Sequence, residues 1–68
     1  MQEQSLQRTP VITVTLSASQ AWAFAQFLKR VGVDDYRALA VDADEAYLML
    51  DAGEAIRDEL RSVGYAPR

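Results

Sequence analysis

"DADEAYLMLDAGEAIRDELRSV", residues 42–63, admits two conformations, and the architecture of the chain turns on the choice. Ala46, Met49, Gly53, Ile56, Leu60 and Val63 recur at spacings of 3, 4, 3, 4 and 3, the period of one helix face. Asp42 with Glu45 supplies a helix start. Gly64 followed by Tyr65 supplies a stop in which the tyrosine can fold back on Leu60, and Pro67 bars continuation. In the other conformation "EAYLML", residues 45–50, is a strand, and Asp51 with Glu54 boxes the start of a shorter helix from Ala52. Gly53 then falls in a first turn, where it costs less than in a helix interior. The apolar seam keeps its phase through both halves, so a continuous helix over about 43–63 is preferred.

Upstream, "FLKRVGVDDYRALA", residues 27–40, reads as a corner between two helices. Gly32 stands where a left-handed residue would end a first helix, with Val33 reaching back to Leu28. Lys29 and Arg30 complement the dipole of that last turn. Asp34 is placed to cap a short second helix over about 35–40, with Asp35 near its N-terminus. Tyr36 and Leu39 are assigned to packing and Arg37 to solvent. The first helix, about 18–31, opens on Ser17 and Gln20, a capping box in which each side chain takes a backbone N–H that the first turn leaves free.

Before it, "VITVTL", residues 11–16, alternates with period two: Ile12, Val14 and Leu16 face one way, Val11, Thr13 and Thr15 the other. That pattern predicts a half-buried strand. The expected fold is therefore α+β and helix-rich: one N-terminal strand followed by three helices, in a single domain over 11–68 behind a flexible tail at 1–10. The alternative carries a second strand at about 45–50 that pairs with 11–16. If 43–63 is helical, the strand has no in-chain partner for its N–H and C=O groups. Antiparallel pairing of Val11, Ile12, Thr13, Val14, Thr15 and Leu16 with the same residues of a second copy is the simplest remedy, giving a homodimer.

The composition narrows the function. A chain of 68 residues is one domain, and a core of that size yields only about 3–5 kcal/mol without help. It has no Cys and no His, so disulfides, thiolate metal sites and the usual general base near neutral pH are all missing. Ser17 and Ser19 have no activating base. "DADE", residues 42–45, lacks the later oxygen ligands and the glycine of a calcium loop. No Gly-rich phosphate loop occurs. We expect no enzyme, no cofactor and no metal. A net charge of −3 argues against direct nucleic-acid or membrane binding, and with no leader or membrane-length apolar run the expected location is cytoplasmic.

Two features suggest a protein partner. Asp34, Asp35, Asp42, Asp44, Glu45, Asp51 and Glu54 crowd one segment against a single Arg37, an acidic surface suited to a basic protein groove. Several of them double as helix caps and the rest suit a solvated face. Trp22 projects away from the stripe of Ala21, Phe24, Phe27, Leu28 and Val31, amid small alanines, as a contact hot spot would. Cover by another element of the same chain or by a dimer mate is the plainer account. A ribbon-helix-helix DNA-binding dimer has the same outline of strand and helices, but only Arg8 and Arg37 would meet phosphates.

Over most of its length from Val11 the chain resembles a family of short, uncharacterised bacterial proteins carried on plasmids, integrative elements and prophages. "QFLKRVG", "DDYR", "EAYLM" and "GYAPR" carry the resemblance. Trp22 and Gly53 look less usual for it. The resemblance brings no activity or site residues. Its mobile-element association implies an inhibitor of a host defence complex of the CRISPR type, binding stoichiometrically at a basic surface meant for nucleic acid; a structural or regulatory accessory protein is the alternative.

Overall fold

The structure, a computed structural model, describes residues 9–68. It contains three helices: α1, Ala18–Arg30; α2, Val33–Leu39; and α3, Ala43–Ser62. Helix α3 is the spine against which both α1 and α2 pack. The seam of residues 43–63 thus forms as one helix, and its backbone groups are bonded within it.

The α+β expectation is overturned, because the described residues contain no strand. A ladder needs two segments with free backbone groups. Residues 45–50, the in-chain candidate, lie inside α3, so the alternative second strand does not form, and within the single chain residues 11–16 have no ladder and are not a strand. Val11, Ile12, Thr13, Val14, Thr15 and Leu16 form an exposed segment without regular structure that leads into α1. The tail assigned to 1–10 falls, up to Arg8, outside the described residues.

The helix starts are built by short-range chemistry. Ser17 N–H donates to Gln20 Oε1 at 2.9 Å and Gln20 N–H to Ser17 Oγ at 3.1 Å, the anticipated capping box. At α3, Glu45 N–H donates to Asp42 Oδ1 at 2.8 Å, while Glu45 Oε1 accepts from Val41 N–H at 2.9 Å. The corner at Gly32 differs from expectation. Gly32 is not left-handed, with φ −117°; it is the N-cap of α2, whose first residue, Val33, comes two residues before the predicted start at 35. Asp35 Oδ2 accepts its N–H at 2.8 Å. The aspartate that does the capping is therefore Asp35, reaching back, and Asp34 lies in the first turn. The predicted glycine stop does occur at Gly64, whose φ is +105°. There Tyr65 N–H donates to Leu60 O at 2.8 Å, closing a Schellman turn, and Tyr65 packs on the core.

That core is narrow. Ala21, Ala25 and Leu28 of α1, with Ala46 and Leu60 of α3, are its buried apolar side chains among the described residues. Gly53 of α3 is buried beside them. Ala46, Gly53 and Leu60 stand seven residues apart, one contact line along the helix. Small residues on both α1 and α3 bring the backbones close, and the larger side chains are left on the flanks.

Candidate functional site

The packing of α1 decides what the molecule offers to a partner. With Ala21, Ala25 and Leu28 turned onto α3, the 100° step per residue swings Phe24 and Phe27 toward one flank and Trp22 toward the other. The sequence places Phe24 and Phe27 on one apolar stripe with Ala21, Leu28 and Val31. They are nevertheless 41% and 49% exposed, stacked on each other with ring centroids 5.3 Å apart and planes inclined by 18°. The signal that could have placed them is the pair of alanines at 21 and 25: a close helix contact admits Ala where it would not admit Phe.

Two depressions flank this aromatic pair. One, of about 550 Å³, is bounded by Val14, Leu16, Gln20, Ala23, Phe24 and Phe27. The other, of about 530 Å³, is bounded by Phe27, Arg30, Val31, Asp35, Tyr36 and Leu39. Phe27 lines both, so the two shallow depressions adjoin across its ring on one face of the molecule, a trough divided at Phe27, with Val14 and Leu16 of the N-terminal segment at one end and Leu39 of α2 at the other. Its walls are apolar except for Gln20, Arg30 and Asp35. Leu39, assigned to packing from the sequence, is 83% exposed at its far end.

Trp22 sits on the other flank. Tyr65 meets it edge-on, with centroids 5.1 Å apart and planes at 72°, so the chain's own C-terminal segment supplies part of the cover. Trp22 remains 45% exposed.

The acidic residues do not converge. Asp35, Asp42 and Glu45 each accept a backbone N–H at a helix start, and Glu54 lies 3.9 Å from Arg57. Asp44 and Asp51, seven residues apart, point from the face of α3 opposite its packed line. They share it with exposed Leu48 and with Asp58, which pairs with Arg61 at 2.8 Å. Asp34 is on α2. Among the described residues no group of three or more acidic side chains is close enough to hold a metal ion. None of the helices is long and apolar enough to cross a membrane. Chemically, the arrangement offers apolar area and a lightly charged outer face.

The family model described as "Family of unknown function (DUF7706)" matches residues 1–68. No curated protein and no solved structure matches the chain.

Proposed function

For a chain that belongs to this family of unknown function, we propose a role as a non-enzymatic protein-interaction module, an accessory protein that acts by docking the α1 trough on another polypeptide. The observation that carries this is the stacked Phe24–Phe27 pair, half exposed in a trough with aliphatic walls. Contiguous apolar surface on a monomer seldom exceeds about 300–600 Å² unless it is used, and aromatic anchors dominate binding energy at interfaces. The test is capture of proteins from a bacterial lysate by immobilised wild type, Phe27→Glu, and the double variant Asp44→Lys/Asp51→Lys. Species retained by wild type and by the charge variant but lost with Phe27→Glu support docking through the trough. A retained set that Phe27→Glu leaves unchanged, from a wild-type chain that does not self-associate through Phe27 either, refutes it.

A narrower second reading rests on the outer face of α3, where Asp44 and Asp51 are exposed without a hydrogen-bond partner among the described residues. On it the protein comes from a mobile element and inhibits a CRISPR-type complex by laying this acidic face on a basic groove. Capture that fails at raised salt and in the Lys double variant favours this reading.

A further inference from the structure

We infer that the occupant of the α1 trough is a second copy of this chain, docked about a two-fold axis that passes near Phe27. The inference rests on the interaction-module reading and supplies its partner.

Three observations favour a copy over an unrelated protein. The first is a deficit. Five buried apolar side chains, three of them alanine, make up the core among the described residues, and no large side chain is fully buried. A core this small contributes little net stability in a 68-residue chain, and with no Cys for disulfides oligomerisation is a common way to add to it. The second is area. From their fractional exposures, Val14, Leu16, Phe24, Phe27 and Leu39 present on the order of 500 Å² per chain, so two copies together reach the roughly 1,000 Å² of total buried surface that a specific interface needs.

The third is self-complementarity. An isologous interface requires each end of the patch to fit the other end of the same patch. Phe27 is common to both depressions, so a two-fold through it turns one depression over the other. Leu39, which projects at the far end, then enters the copy's hollow, which Ala23, with only a methyl group, leaves open between Val14, Leu16 and Phe24. Charge permits the match. The trough carries one cation, Arg30, and one anion, Asp35, so two copies meet there without net repulsion although each chain carries −3. The outer face of α3, with Asp44 and Asp51, would repel a copy.

Sedimentation equilibrium of the full chain, across a wide concentration range, is the test. Wild type is expected at twice the 7.6 kDa chain mass. Phe27→Glu and Leu39→Glu are expected at the monomer mass, and Leu48→Glu, on the opposite side of the molecule, as a dimer. Leu39 makes so little contact within its own chain that its variant keeps the fold, and far-ultraviolet circular dichroism verifies this; if Phe27→Glu unfolds, Leu39→Glu decides. Wild type at the monomer mass throughout overturns the inference. So does a dimer that survives Leu39→Glu. Monomeric wild type that still captures a lysate protein through Phe27 refutes the second copy alone, whereas monomeric wild type that captures nothing refutes the interaction module as well.

Discussion

A β-carbon at position 53 would collide with the Tyr36 hydroxyl and come within 3.3 Å of its Cζ. Helix propensity says the opposite of this position: Ala is favoured over Gly in a helix interior by about 1 kcal/mol. Crowding of a packed site costs about 1–3 kcal/mol, so the steric term wins. Gly53→Ala is expected to lower stability by up to about 2 kcal/mol net of the helix-propensity gain, measured by urea unfolding. In a Tyr36→Phe background the oxygen is gone and the same substitution should cost clearly less, a coupling that a double-mutant cycle isolates. A midpoint raised by Gly53→Ala alone would mean that Tyr36 does not seat on α3 there. The sequence shows Gly53 only as a local oddity, because the residue that requires it belongs to another helix. Phe24 and Phe27 illustrate the same limit: periodicity marks an apolar stripe, but which members go under a neighbour depends on how closely that neighbour approaches.

Helix boundaries were legible where the chemistry is local. Ser17 with Gln20 and Asp42 with Glu45 bond within three or four residues, and spacing alone announces them. Asp42→Ala should therefore cost about 1 kcal/mol, Asp42→Asn little, and Asp51→Ala, exposed in mid-helix, less than about 0.5 kcal/mol. Thermal melts followed by circular dichroism rank the three; equal losses for Asp42→Ala and Asp51→Ala would show that the cap contributes nothing. The corner at Gly32 was misjudged because glycine serves at either end of a helix, and only Asp35 reaching back to its N–H tells which. The segment 11–16 failed for a longer-range reason. Alternation describes a segment suited to a sheet, whereas a sheet also needs a partner, and α3 had already taken up the backbone of residues 45–50. What remains of the pattern is its apolar half, Val14 and Leu16, now wall of the trough.

At the scale of the molecule, folding and association should be one equilibrium. A core this thin gives an isolated chain little margin, so burying the trough against a copy stabilises the native state by mass action. The thermal midpoint should then rise with protein concentration. For a dimer of two such chains, with an unfolding enthalpy of about 0.7 kcal/mol per residue, the rise is about 5 °C per tenfold increase. Scanning calorimetry over two decades of concentration reads it, and Leu39→Glu should give a low midpoint that does not move. Salt separates the candidate faces in the same experiment. A trough with one Arg30 and one Asp35 gains nothing from low ionic strength, whereas docking through Asp44 and Asp51 would weaken as salt screens it. Since sulfate strengthens apolar burial, the midpoint should climb in sodium sulfate and change little in sodium chloride. A concentration-independent midpoint would mean that the narrow core suffices by itself and that the exposed phenylalanines are kept for a different protein.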